Sequence, residues 1–190
     1  MRVLVVDAYP AAHPDAAVVR QAIEMLEKQD NQVDYLSLVS DEFSTAMTAD
    51  ERAAYETDEP LIADETKASA ARVQGADALL FCYPTTLFGV PPRLKGWLER
   101  VMVTGVAFVF DNKQRVRPGL TNVRRIGVVT TTPHSRRATM RARDLGYRTL
   151  MRALRLNCHP FCRRTFVRMP VGAPAARFAD RLNRSLRSWR

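Results

Sequence analysis

A strand, a loop that cannot be helical and an amphipathic helix follow one another between residues 78 and 101, and this segment constrains the fold most. The run Ala78–Tyr83 is apolar at every position, as an interior strand of a parallel sheet is on both of its faces. Pro84 ends the strand, and Pro91-Pro92 suits the first turn of the following helix. In open α/β sheets ligands bind beyond the carboxyl ends of the strands, so the loop after Tyr83 lies where a ligand is expected.

The bulk composition is that of an ordinary soluble protein and predicts a single domain over residues 1–190. The chain is 46% apolar and 26% charged, and it is long enough to bury a core. Its apolar runs fall short of the roughly 20 residues that span a bilayer. The opening segment Met1–Asp7 is too short for a secretory signal, so we interpret it as the first strand of a cytoplasmic protein.

The three cysteines, Cys82, Cys158 and Cys162, are an odd number and do not indicate a disulfide framework. The pair Cys158 and Cys162 lacks the spacing and the number of nearby ligands of a closed zinc site. We therefore expect no metal.

Charge is distributed unevenly along the chain. Residues 1–95 hold 8 Lys/Arg against 16 Asp/Glu, whereas residues 96–190 hold 21 against 4. The arginines lack the aromatic interleaving of a single-strand binder, so no sequence-specific nucleic-acid partner is expected. A solvated basic face, a phosphate-rich cofactor, and a peripheral contact with an anionic membrane or a membrane partner stay open as explanations.

Apolar periodicity, turn residues and one capping box predict alternating strands and helices. The predicted strands are Val3–Asp7, Val33–Leu38, Ala78–Tyr83, Arg125–Thr130 and a segment of Leu156–Val167, with a short extended piece at Val106–Asp111. The predicted helices are Ala16–Gln29, one opening at the Thr48–Glu51 capping box, Ile62–Gln74, Pro91–Val103, Arg137–Leu154 and Ala175–Trp189. This order predicts an α/β protein with a flavodoxin-like, doubly wound, five-stranded parallel sheet (order 2-1-3-4-5) and helices on both faces.

Three loops converge on one edge of such a sheet. Loop one, Ala8–Asp15, has neither the glycine fingerprint of a dinucleotide site nor a phosphate-loop signature. The following helix could still hold a phosphate at its amino end with help from His13 and Arg20. Asp15 would compete for the same donors, and a plain helix start is an equal alternative.

Loops two and three offer hydroxyls, free amides and apolar walls. In loop two, Pro84–Gly89, two threonines precede Leu87 and Phe88, a mixture that suits a planar heteroaromatic ring with polar edges. Loop three, Thr130–Ser135, carries His134, and an imidazole can donate a proton near neutral pH. A solvated histidine is the alternative for His134.

The block Pro84-x-x-x-Phe88-Gly89-Val90-Pro91-x-x-Leu94-Lys95-Gly96-Trp97-x-Glu99-Arg100-Val101, with Gly105-x-Ala107-Phe108 beyond it, resembles the signature block of the flavin-dependent NAD(P)H:quinone oxidoreductases. The strand Val128–Thr131 then falls where that family has a strand running into a Thr-Thr-Gly-Gly loop. The resemblance implies a homodimer that binds FMN or FAD at the carboxyl edge of the sheet. It also implies hydride transfer from NAD(P)H through the flavin to a quinone or a similar electron-poor acceptor.

The resemblance also assigns residues to the flavin. Thr85, Thr86, Leu87 and Phe88 would border the isoalloxazine ring, and Thr131, Thr132 and Pro133 would contact its other side. Tyr9 stands where the family usually has a histidine, and His13 would compensate by reaching the phosphate. Thr132 and Pro133 replace the two family glycines, and the family's tyrosine a few residues further on has no counterpart near Ala138.

Two other functions stay open. One is a flavin-binding ancillary subunit with little turnover, as relatives of these enzymes serve potassium-efflux systems. The other is an electron-carrier flavodoxin, which the absence of Ser and Thr from Ala8–Ala17 and the net charge of +9 disfavour. Arg136 and Arg137 beside loop three would suit the 2′-phosphate of NADPH, with NADH as the alternative.

Overall fold

The computed structural model describes residues 1–39, 44–55, 57 and 59–189. Its main sheet consists of five parallel strands, which are β1 (Arg2–Asp7), β2 (Gln32–Ser37), β3 (Ala78–Pro84), β6 (Arg125–Thr132) and β7 (Arg163–Pro170). Their order across the sheet is β2-β1-β3-β6-β7, which confirms the predicted 2-1-3-4-5 topology. A small antiparallel pair, β4 (Phe108–Phe110) and β5 (Val116–Pro118), lies apart from it, and β4 falls within the predicted extended piece Val106–Asp111.

Helices cover both faces of the sheet, because each interior strand is apolar on both sides. The helices are α1 (Ala17–Glu27), α2 (Ala49–Ala54), α3 (Asp64–Gln74), α4 (Pro92–Val101), α5 (Arg136–Arg141), α6 (Leu145–Tyr147) and α7 (Ala175–Leu186). On one face α1 and α7 pack on side chains such as Val5 and Val167. On the other, α3 and α4 pack on side chains such as Phe81 and Val128. Among the described residues, none of the helices has the length and apolarity to cross a membrane.

The helix predicted over Arg137–Leu154 is wrong, because the chain turns within it. The first part, α5, ends at Arg141, and Arg143 and Asp144 then adopt left-handed backbone angles (φ 58° and 35°). The chain resumes as α6, whose first turn Asp144 caps by accepting the Tyr147 N–H (2.9 Å), and continues as a π-helical segment, Arg148–Ala153, and a 3₁₀ turn, Leu154–Asn157. The prediction failed because apolar residues keep helical spacing on both sides of the turn.

The turn brings the start of α6 against loop two. The N–H groups of Leu145 and Gly146 both donate to the carbonyl of Phe88 (2.9 and 3.3 Å). A Cβ on Gly146 would lie 2.5 Å from the Tyr83 hydroxyl, so a larger residue there would force the buried Tyr83 side chain to shift. The break in the helix therefore helps to position the loop in which a ligand is expected.

Gly96 shows why the 84–101 block needs a glycine inside α4. A Cβ at this position would lie 2.3 Å from the Thr45 carbonyl oxygen and 2.8 Å from the Thr45 Cα. We expect Gly96→Ala to lower the free energy of unfolding by about 1–3 kcal/mol through overpacking, although alanine usually stabilises a helix by ~1 kcal/mol relative to glycine. Urea denaturation measures the change. In the control Gly89→Ala the new Cβ meets nothing closer than 3.6 Å, and equal losses in the two variants would contradict the explanation.

Candidate functional site

Loops one, two and three meet at the carboxyl edge, because β1, β3 and β6 are neighbours in the sheet. The Thr85 N–H donates to the Thr131 carbonyl (2.7 Å), and the hydroxyls of Thr85 and Thr130 lie 2.9 Å apart. Tyr9 reaches the same strand end, since its hydroxyl accepts the Thr131 N–H (3.1 Å). Residues of all three loops are therefore joined directly by hydrogen bonds.

Loop two is a tight, strained turn that presents two free donors. The main chains of Thr86 and Gly89 bond each other (3.1 and 2.8 Å), and between them Leu87 and Phe88 have left-handed angles (φ 45° and 60°). Such angles cost non-glycine residues free energy and are concentrated at functional sites. Within the described residues neither the Leu87 nor the Phe88 N–H donates a hydrogen bond. The Leu87 side chain is 82% exposed, so this turn faces solvent with unused donors and an apolar surface.

The Phe88 ring connects loop two to loop three by stacking on His134. The ring centroids lie 3.8 Å apart at an interplanar angle of 19°. The His134 main chain is fixed as well, because its N–H donates to the Thr132 hydroxyl (3.2 Å). Two residues that the sequence proposed for one site are thus in direct contact.

In loop three, the Thr131 N–H is already used within the chain. Thr131 and Thr132 are buried (0% and 4% exposed), and Pro133 has no N–H to offer. The buried Tyr9 hydroxyl takes the Thr131 N–H and lies 3.2 Å from its side-chain oxygen. Burial raises the pKa of Tyr9, so the phenol stays protonated and keeps this contact.

Loop one is poorly suited to an anion. His13 accepts the Asp15 N–H at its Nδ1 (3.1 Å) and lies edge-on to the Tyr9 ring at 5.2 Å. The Asp15 carboxylate accepts the Gly172 N–H at Oδ1 (3.2 Å), while its buried Oδ2 has no hydrogen-bond partner among the described residues. A phosphate at the start of α1 would meet this carboxylate and an amide that is already bonded.

A cavity of about 810 Å³ lies between loop one, α1 and the end of β2. Its wall includes Asp7 and Tyr35, which the sequence interpretation missed. The Asp7 carboxylate accepts the Tyr35 hydroxyl at Oδ2 (2.9 Å) and the Tyr9 N–H at Oδ1 (2.8 Å). Burial outweighs these bonds and raises the pKa of Asp7. An acid that ends an otherwise apolar strand is the sequence signal that could have drawn attention to Asp7.

A second cavity, of about 550 Å³, lies between the ends of β6 and β7, next to His134. Arg136, Arg168 and Arg181 contribute to its wall, and of these only Arg136 was singled out from the sequence. In the part of the chain that the structure describes, no group of three or more His, Cys, Asp or Glu side chains could hold a metal ion.

The geometry fits the ring of a flavin and disfavours a phosphate in loop one. The free N–H groups of Leu87 and Phe88 match the carbonyl and nitrogen acceptors along the polar edge of an isoalloxazine. Leu87 and the stacked Phe88 and His134 rings provide apolar surface for its rings. At the start of α1, by contrast, the Asp15 carboxylate opposes an anion.

These features define the class: a doubly wound α/β protein with a candidate ring-binding site at the carboxyl edge of its sheet. Residues 1–180 match the family described as flavodoxin-like fold, and the chain therefore belongs to that family.

Curated relatives match parts of the chain. It is 44% identical over 43 residues to rat (Rattus norvegicus) NAD(P)H dehydrogenase (quinone) 1, which covers 23% of this chain and 16% of that protein. It is 33% identical over 106 residues to the FMN-dependent NADH:quinone oxidoreductase of Cereibacter sphaeroides, which covers 56% and 49%. The chain thus spans half or less of the length of these relatives. The matches confirm the resemblance to quinone oxidoreductases.

Solved structures share the fold over nearly the whole chain. The NAD(P)H:quinone oxidoreductase of Methanothermobacter marburgensis has a TM-score of 0.80 at 18% identity, covering 100% of this chain and 99% of that one. An FMN-dependent NADH-azoreductase of Bacillus anthracis has a TM-score of 0.70 at 13% identity, covering 96% and 94%. At these identities the likeness shows the fold alone.

Proposed function

We propose that this protein is a flavin-dependent oxidoreductase that uses NAD(P)H to reduce a quinone or a similar electron-poor aromatic acceptor. The observation that carries the proposal is the Leu87–Phe88 turn, with its two free N–H groups and its ring stacked on His134. The names of the relatives support the chemistry, because they are quinone dehydrogenases and an FMN-dependent quinone oxidoreductase. They favour FMN over FAD.

The chemistry that a flavin would supply when bound is hydride transfer, from NAD(P)H to the acceptor. The N–H groups of Leu87 and Phe88 orient the polar edge of the ring, and the Phe88 side chain shields it. Thr85 fixes loop two to loop three through its bond to Thr131 (2.7 Å). His134 supplies the proton that the reduced acceptor needs, because an imidazole exchanges protons near neutral pH.

A flavin titration tests the proposal. We expect the apo protein to bind FMN with a Kd on the order of 1 μM or lower, equivalent to about 8 kcal/mol, with quenched flavin fluorescence. Phe88→Ala should weaken binding roughly threefold to tenfold through loss of ring contact. The control Phe161→Ala removes a ring that is 84% exposed at the opposite end of β7 and should leave the Kd unchanged. Failure of FMN and FAD alike to bind at tens of micromolar would sink the proposal.

Steady-state rates with varied acceptors then separate an enzyme from an ancillary subunit. Oxidation of NAD(P)H that depends on both flavin and quinone supports the enzyme. Bound flavin without measurable turnover points to the ancillary role. The structural argument for that role is that Tyr9 takes the Thr131 N–H of loop three and that loop one carries the Asp15 carboxylate and a bonded Asp15 N–H.

We also propose that the 190 residues form one domain and that two copies assemble beside loop two. Leu87 and Leu145 are 82% and 50% exposed, and the Leu145 N–H donates to the carbonyl of Phe88, the residue after Leu87. Exposed apolar side chains clustered at one place favour a protein contact. Analytical ultracentrifugation tests the dimer, and a purely monomeric distribution at micromolar concentration would contradict it.

The membrane contact suggested by the charge stays a prediction, which co-sedimentation with anionic vesicles tests.

A further inference from the structure

The cavity between the ends of β6 and β7 has an unusual charge balance. Arg136, Arg168 and Arg181 lie on its wall, and Asp144 pairs with Arg168 from beside it. Within the described residues Arg136 and Arg181 form no ion pair. Two guanidinium charges at this cavity are therefore uncompensated.

The geometry holds Arg168 in place beside these charges. Its guanidinium lies 5.0 Å over the Phe166 ring and pairs with Asp144. Asp144 is itself fixed, since its other oxygen accepts the Tyr147 N–H (2.9 Å). Burial, together with the nearby positive charge of Arg181, lowers the pKa of Arg168. An anion in the cavity would relieve this repulsion.

The cavity is also next to the candidate ring site. His134 contributes to its wall and stacks on Phe88 of loop two at 3.8 Å. A ligand whose ring contacts loop two can therefore extend a charged substituent past His134 toward the arginines. Loop one, the alternative place for an anion, carries the Asp15 carboxylate, one buried oxygen of which has no partner in the part of the chain that the structure describes.

We propose that Arg136, Arg168 and Arg181 form a phosphate-binding subsite that takes a phosphate ester of a ligand used by the proposed oxidoreductase. The inference rests on the proposed function for the identity of that ligand. Guanidinium groups suit the recognition because they bind phosphate oxygens in pairs. The phosphate belongs either to the flavin or to the 2′ position of NADPH, and binding measurements distinguish the two.

The experiment compares wild type, the double variant Arg136→Ala/Arg181→Ala and the control Arg187→Ala, which removes an exposed arginine at the end of α7. Calorimetry on the apo protein compares the affinity for FMN with that for riboflavin, and the affinity for 2′,5′-ADP with that for 5′-AMP. Because hydrogen bonds between guanidinium and phosphate are charge-assisted and stronger than neutral ones, the double variant should lose a phosphate preference of roughly tenfold or more. Circular dichroism verifies that each variant is folded.

The two sources give different results. Loss of the preference for FMN over riboflavin assigns the subsite to the flavin, and loss of the preference for 2′,5′-ADP over 5′-AMP assigns it to NADPH. The inference is overturned if the double variant binds FMN as tightly as Arg187→Ala does and also binds 2′,5′-ADP as tightly as Arg187→Ala does. It is also overturned if wild type binds FMN no better than riboflavin and 2′,5′-ADP no better than 5′-AMP. If flavins fail to bind while 2′,5′-ADP binds through the arginines, the flavin function fails and the subsite stands.

Discussion

Arg100→Met is expected to lower the free energy of unfolding by about 3–5 kcal/mol, because it leaves a buried carboxylate without its partner. The Arg100 side chain is 2% exposed and that of Glu51 is 5% exposed. The guanidinium donates to Glu51 Oε1 from Nε (2.9 Å) and Nη2 (2.7 Å). It also bonds the Ser44 carbonyl (2.6 Å) and pairs with Glu65. Denaturation with guanidinium chloride at pH 7 measures the loss of stability.

The control for this prediction lies on the same helix. Lys95 and Glu99 form an exposed pair, at 50% and 48% exposure, and an exposed pair contributes about 0–1 kcal/mol. Lys95→Met should therefore change stability little. Similar losses in the two variants would show that the Arg100 pair is no more important than a surface pair.

The pH dependence of the folding stability is a second test of the same ion pair. Burial favours the neutral form of Glu51, but hydrogen bonds from the Thr48 N–H and Arg100 outweigh it and lower the pKa from its usual value of 4.5. A depressed carboxyl pKa stabilises the folded state above the unfolded pKa and ceases to do so as the pH falls through the folded one. Wild type should therefore lose stability below about pH 4.5, and the difference from Arg100→Met should shrink there. A difference that stays constant down to pH 3 would contradict this origin.

The main sheet could be predicted from the sequence because its strands are marked locally. Ala78–Tyr83 is apolar at every residue and bounded by Pro84, so its length and its place inside the sheet follow from composition. The Thr48–Glu51 capping box also forms as its spacing predicts, with the Glu51 N–H bonded to the Thr48 hydroxyl (3.1 Å). The turn at Arg143 and Asp144 has no such local mark. Its left-handed angles coincide with contacts to Phe88 and Arg168, which are distant in sequence.

The same distinction applies to the candidate site. Phe88 and His134 follow the carboxyl ends of neighbouring strands, so topology alone predicts that they come close. That Tyr9 takes the Thr131 N–H could not be predicted, because it depends on which rotamer fills the space beneath loop three. Arg181 was missed for a related reason: a solvent-facing arginine of a helix shows nothing in its periodicity about the cavity it borders.

Replacing His134 is expected to lower kcat on the order of a hundredfold, the usual contribution of a positioned proton donor. Two variants separate proton transfer from packing. His134→Phe keeps a ring that can stack on Phe88 at about the present spacing of 3.8 Å but carries no proton, whereas His134→Ala removes both properties. If His134 donates the proton, both variants lose kcat to a similar extent, while only the alanine variant also weakens flavin binding.

The control is His159→Phe, since His159 precedes β7 at the opposite end of that strand and should leave kcat unaffected. Steady-state rates with saturating NAD(P)H and a quinone give kcat, and fluorescence titration gives the flavin Kd. Full activity in His134→Phe would reduce His134 to a packing partner of Phe88. The proton would then come from water, because the buried Tyr9, with its raised pKa and its hydroxyl engaged by Thr131, is poorly placed to give one up.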